Sequence, residues 1–238
     1  MWGGGKNDQY KTRADLKNMI YVLNFEKMNN MAAKSPVQTK GDRLKKLIPF
    51  YLIRETIDGT PFYYARYKEV LSKKQTFEGI RADHGFHALI KTYLMLLFAR
   101  ALDYKLYQPV SGKVGCHLDS QNNFILDVAI YDKSILTPDK ITNKYIDVYP
   151  KVVIEIDLKV TLEDTSIDLF APFVLAKSKK LLSFGTERII WVFTQSNTIM
   201  VVKPGNTWEV FQLNDDVVVM DGVVMNIGRY LEEEGIEV

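Results

Sequence analysis

Val152-Val-Ile-Glu155-Ile-Asp157-Leu-Lys159-Val160 is the stretch on which the fold of this chain turns. From Ile154 onward apolar residues alternate with charged ones, the period of a β-strand. A strand over 152–160 would put Ile154, Ile156, Leu158 and Val160 on one face and Glu155, Asp157 and Lys159 on the other. Alternate side chains on a strand lie about 6.5–7 Å apart, near enough for neighbouring carboxylates to engage one cation. Any half-exposed strand alternates in this way, so the segment also reads as a strand with a wet face on which Lys159 screens the acids.

A second stretch adds weight. Ile125-Leu-Asp127-Val-Ala-Ile130 reads as a buried strand, within a candidate strand over 124–131, yet it carries a carboxylate. Aspartate is depleted in strands, and a buried carboxylate without a partner costs several kcal/mol. Asp127 therefore needs a divalent cation, a buried arginine or backbone amides. One Asp on a strand followed by acid-x-Lys on a later strand is the PD-(D/E)XK arrangement. There, two carboxylates hold Mg²⁺ against a phosphate, the metal activates a water, and the lysine orients that water or steadies the charge. On that reading Asp127, Glu155 and Asp157 crowd negative charge together, and removing Asp127 relieves repulsion.

The rest of the chain supplies a setting. Residues 1–48 combine Gly3–Gly5, a weakly amphipathic stretch around Leu16, Ile20, Leu23 and Phe25, and a linker with Ser35-Pro36 and Gly41. They read as an arm, helical in part. A hairpin follows, residues 50–57 and 61–64 about the turn Asp58-Gly59, because Gly supplies the positive φ that primed turns need. A short helix over 67–71 and a long one over about 83–102 come next. Strands at 106–110, 114–118, 124–131 and 152–160 precede a helix over about 172–184 that stops at Gly185. Strands at 188–193, 198–202 and 208–212 and a helix near 227–233 close the chain. The expected class is mixed α/β (α+β): a restriction-endonuclease-like core over 49–238, with a mixed β-sheet flanked by helices.

From about Pro49 onward the chain resembles the Uma family, a branch of the PD-(D/E)XK nucleases. Leu126-Asp127-Val128-Ala129-Ile130 resembles the family's Pro-Asp strand, with Leu126 in place of the proline. Residues 151–156 resemble its apolar strand ending in Glu. The segment from Lys177 through Gly185 to Trp191 and Phe193 resembles its Lys-helix-Gly segment and Trp-bearing strand. The resemblance implies a Mg²⁺- or Mn²⁺-dependent DNA endonuclease with Asp127 and Glu155 or Asp157 as metal ligands. It leaves the catalytic lysine open between Lys159 and Lys177. Phe86-His87 stands where the family often shows Glu-His, so His87 is either a cleft residue or a structural one.

Composition limits the alternatives. The 238 residues carry a formal charge of +2, which neither demands nor excludes nucleic acid. A single cysteine, Cys116, permits no intramolecular disulfide and suits a reducing cytosol. The start of the chain has no apolar signal-like core, and no stretch is long enough to span a bilayer. With three histidines and one cysteine a structural zinc site is disfavoured. No phosphate loop or nucleophile elbow occurs. The expectation is a cytoplasmic chain with DNA as partner, no membrane association, and a homodimer as one arrangement that would let two sites cut both strands. The rival is an inactive nuclease-fold module that binds nucleic acid or a protein.

Overall fold

The computed structural model describes residues 48–164, 166–205, 207–220 and 222–237. They belong to one compact unit, Leu47–Val238. The arm and linker expected over 1–48 lie, save Ile48, outside the described residues.

The hairpin is β1 (Ile53–Ile57) and β2 (Thr60–Tyr64), with positive φ at both Asp58 (47°) and Gly59 (75°), as a primed turn requires. Helices α1 (Tyr67–Leu71), α2 (Phe77–Arg81) and α3 (Gly85–Ala101) follow. The two strands expected at 106–110 and 114–118 are one, β3 (Tyr107–Asp119), irregular at Gly112 and Lys113, which both have positive φ. It pairs along its length with β4 (Asn122–Asp132). Then come β5 (Val152–Ile156), the short β6 (Val160–Thr161), a π-helical turn Phe170–Leu175 and α4 (Ala176–Ser183). Gly185 ends this helix with φ 113°. The strands β7 (Arg188–Phe193), β8 (Thr198–Lys203) and β9 (Thr207–Gln212) complete the sheet. A hairpin that the sequence pattern did not reveal, β10 (Val217–Met220) with β11 (Val223–Met225), leads into α5 (Ile227–Glu233).

The nine-stranded sheet runs β6-β2-β1-β4-β5-β7-β8-β9, with β3 also on β4. Among the described strands β5 and β7 pair in parallel and the other pairs are antiparallel. Alternation sorts the central strands onto two cores. Ile154, Ile156, Ile190 and Val192 pack with Ile90, Leu94 and Phe98 of α3 and with Ile227 and Leu231 of α5. Val153, Ile189 and Trp191 pack with Phe173, Val174 and Leu181 on the other face. Both faces of β5 are covered and all five of its residues are buried, so it has no wet face.

One irregularity positions everything that follows. Along one edge β4 pairs with β3 from Asn122 to Asp132. On its other edge Asn123 meets β1, and residues 128–130 meet β5. Between those two contacts the edge of β4 is left by both strands, at residues 124–127. The polar backbone exposed there must be satisfied by other means.

Candidate active site

Side chains fill the gap. Asp127, 1% exposed, turns one carboxylate oxygen onto the backbone N–H of Ile156, which donates at 3.0 Å, so the side chain continues the ladder where β5 has departed. The carbonyl of Ile125 accepts from Lys177 Nζ at 3.3 Å. Around the other oxygen of Asp127 stand Lys91 Nζ at 3.2 Å, Lys159 Nζ at 3.3 Å and Arg54 Nη2 at 3.9 Å. His87 Nε2 lies 3.3 Å from the first oxygen and 2.7 Å from Lys159 Nζ. Burial pushes this carboxyl up, but the bond from His87 and the charges of Lys159 and Lys91 outweigh it and hold Asp127 well below the usual carboxylate range.

A second group lies on the same gap. Lys177, fully buried, reaches Glu55 Oε2 at 2.7 Å and Glu155 Oε1 at 2.9 Å. The rings of Phe124, Phe173 and Trp191 surround its ammonium at 5.3–5.9 Å, a desolvated cation–π cage. Arg54 joins the two groups, with Nε 3.5 Å from Glu55. Burial, opposed by Lys177 and helped by the charges of Asp127 and Glu55, pushes Glu155 up to about 7. Burial opposes the charge on Lys177, yet the two glutamates facing it raise its pKa.

The raised value makes stability depend on pH in a definite sense. An unfolded glutamate titrates near about 4.3, so as pH rises the unfolded chain gives up this proton first. The neutral carboxyl favours the fold at low pH, and that advantage is lost between there and about 7. Glu155→Gln should therefore gain stability relative to the native chain from about pH 5 to about pH 8, read by urea unfolding. A difference that does not move with pH would rule out a raised Glu155.

The expected single strand over 152–160 does not form. β5 stops at Ile156, because Asp157 adopts positive φ (55°) and both its carboxylate oxygens are taken by Thr194, one from its N–H and one from its hydroxyl, each at 2.8 Å. Aspartate tolerates this left-handed conformation better than most residues. The chain turns there, and Val160 joins β2 instead. Glu155, Asp157 and Lys159 consequently do not share a strand face. Lys159 reaches Asp127 from a loop, Glu155 sits with Lys177, and Asp157 pins the segment after β7.

In front of the gap lies a cleft of about 800 Å³, lined by Arg54, Arg66, Arg81, His84, His87 and Lys159, among others, with Asp157 as its one carboxylate. Its walls are the end of β2, α2 with the connection to α3, and the turns after β5 and β7. Arg66 shares its charge with Glu69 through two bonds of 2.7 and 2.9 Å. Arg54 and Lys159 are likewise engaged by Glu55, Asp83 and Asp127, so the cleft offers an anionic ligand guanidinium and ammonium donors rather than a net positive field.

Whether a magnesium ion fits can be judged from the donors. Carboxylate oxygens are the correct chemistry, but Asp127 faces Lys91, Lys159 and Arg54, Glu155 faces Lys177, and Asp157 faces Thr194. Among the described residues no three His, Cys, Asp or Glu side chains are grouped to hold a metal ion. As placed, the donors do not fit a divalent ion.

The structure thus gathers Asp127, His87 and Lys159 on one side of the gap and Glu155 with Lys177 on the other. Four partners escaped the sequence reading: Arg54, Glu55, Asp83 and Lys91. Glu55 gave no signal of the kind Asp127 gave, because in Leu52-Ile-Arg-Glu-Thr-Ile57 half the residues are polar and Arg54 stands beside it. Lys91 lay on the apolar face of the long helix at the spacing of His87 plus four.

No family model matches the chain, and no curated protein matches it. Among solved structures, a protein from Anabaena variabilis ATCC 29413, described as "a putative nuclease belonging to DUF820", matches with a TM-score of 0.55 at 15% identity. The match covers 79% of this chain and 94% of that one. At such identity the likeness is one of fold: a large mixed sheet flanked by helices.

Proposed function

We propose that the chain takes the sugar–phosphate backbone of DNA into the cleft and hydrolyses phosphodiester bonds there. A coincidence of place carries this reading. Among the described residues, seven of the eleven buried polar or charged ones (Arg54, Glu55, His87, Lys91, Asp127, Glu155 and Lys177) gather at the gap in β4, beside the cleft. Apolar side chains would stabilise that core at least as well, so such a concentration of buried charge favours a functional role. Arg54 and His87 belong to both the cluster and the cleft, and with Lys159, which reaches Asp127 from the cleft, stand where charge developing on a phosphate could be met. Dependence on magnesium or manganese, implied by the resemblance, belongs to the same proposal. It requires Lys91 or Lys159 to leave Asp127.

The test is cleavage of single- and double-stranded DNA with Mg²⁺, with Mn²⁺ and with chelator. Cutting is expected with metal, with Lys159→Ala slower by about 10²–10³, the scale of one lost transition-state contact. Paired nicks in a duplex would point to the homodimer. A second reading has its own support: four acids (Glu55, Asp83, Asp127, Glu155) face four cations (Arg54, Lys91, Lys159, Lys177), so with Glu155 ionised the cluster is balanced without an ion. DNA bound but uncut with either metal would establish that binding module. Under both readings Arg81→Ala should weaken DNA binding and reduce the slope of log affinity against log salt by about 1. A slope unchanged in that variant would take Arg81 out of the interface.

A further inference from the structure

We propose that Lys91, Lys159 and His87 form a seat for a phosphate group, and that the carboxylate of Asp83 fills it until a ligand arrives. The proposal rests on the cleft being an anion site and names the group within the chain that competes for it. Asp83 spans two ammonium groups: one oxygen lies 2.8 Å from Lys159 Nζ and the other 3.0 Å from Lys91 Nζ. Two anionic oxygens, each on its own ammonium, is the stance a phosphodiester would take. Behind the same two ammoniums stands Asp127, at 3.2 and 3.3 Å. The cations are thus held between an anion fixed in the sheet and one offered by a loop.

The two anions differ in how they are held. Asp127 is 1% exposed and bonded to the backbone of β5. Asp83 belongs to the connection between α2 and α3, and its side chain is 20% exposed. Its neighbours Arg81, Ala82 and His84 and its partner Lys159 line the cleft, while Asp83 and Lys91 are set behind that lining. The seat itself is built in: the side chain of Lys91 is 8% exposed and that of His87 5%. His87 Nε2 lies 2.7 Å from Lys159 Nζ and 3.3 Å from Asp127, so the ring packs between the two. Lys91 and Lys159 against Asp127 and Asp83 make no net charge. With Asp83 withdrawn they leave one positive charge, beside Arg54. Burial pushes the Asp83 carboxyl up, but the bonds and charges of Lys159 and Lys91 hold it at about 2, so it is an anion at neutral pH.

The experiment measures binding of inorganic phosphate and of a short single-stranded oligothymidylate, in chelator, to the native chain, Asp83→Asn and Asp83→Ala. Thermal melts confirm folding, and the asparagine keeps the shape of the carboxylate. Both variants should bind both probes on the order of tenfold more tightly, the change that about 1.4 kcal/mol makes. Adding Lys159→Met to Asp83→Ala should abolish the gain. Folded variants that bind no more tightly than the native chain would overturn the competing role of Asp83 and leave the cleft as a DNA site. Neither probe binding to any of the proteins would overturn the seat and the reading of the cleft together.

Discussion

Lys177→Ala should lose about 3–5 kcal/mol of stability, because it leaves two buried carboxylates without their cation. For a unit of this size that is a fall in Tm of roughly 6–20 °C, at about 2–4 °C per kcal/mol. The ammonium touches Glu55, Glu155 and the carbonyl of Ile125, and no part of it reaches solvent. The remedy identifies the cause. Lys177→Met combined with Glu155→Gln removes one cation and one acid of the triad, leaves Glu55 to Arg54, and should recover most of the loss, since neutral groups of similar size replace a buried ion pair at little cost. A loss under about 1 kcal/mol for Lys177→Ala would mean that the triad is wetter than its geometry. Any failure of Lys177→Ala to cut DNA must accordingly be read beside its unfolding curve.

Asp127→Ala should cost a similar 3–5 kcal/mol, by the opposite imbalance. The expectation of relieved repulsion does not survive the geometry, because Asp127 faces Lys91, Lys159 and Arg54 and carries the N–H of Ile156. Asp127→Asn keeps an acceptor for that N–H and should lose less, so the pair of variants separates the charge from the backbone anchor. Urea midpoints measure both, and an alanine variant as stable as the native chain would contradict the contacts. The same melts with added Mg²⁺ or Mn²⁺ report on metal. Stabilisation of the native chain that disappears in Asp127→Asn places an ion at that carboxylate.

Much of the fold was legible because local signals agreed with it. Asp58-Gly59 set the first hairpin, Gly185 ended its helix, and β7 and the last helix fall where their apolar periods place them. Asp127 was legible for a related reason: a carboxylate amid buried residues demands partners. The break at Asp157 was not, because the alternation of Ile156, Leu158 and Val160 continues across it while the backbone reverses into the left-handed region. Period-two patterns record which side chains are apolar, not whether the strand is continuous. Lys177 was singled out by the resemblance alone, and its full burial was not legible, because the glutamates that draw it inward lie on two distant strands.

The opening in β4 has a consequence for the order in which the chain can fold. The strands that bound it come from opposite ends of the sequence: β1 precedes β4, while β5 is completed only when β7 pairs with it in parallel. Arg54 and Lys91 are made early, but Glu55 waits for Lys177, and Asp127 for Lys159 and the N–H of Ile156, so during synthesis the first half of the sheet carries carboxylates with only part of their partners in place. Such long-range closure slows folding and leaves the edge of β4 open to wrong partners in the interval. A nascent chain halted before Lys177 should remain protease-sensitive throughout, and acquire resistance in a single step once α4 and β7 have emerged.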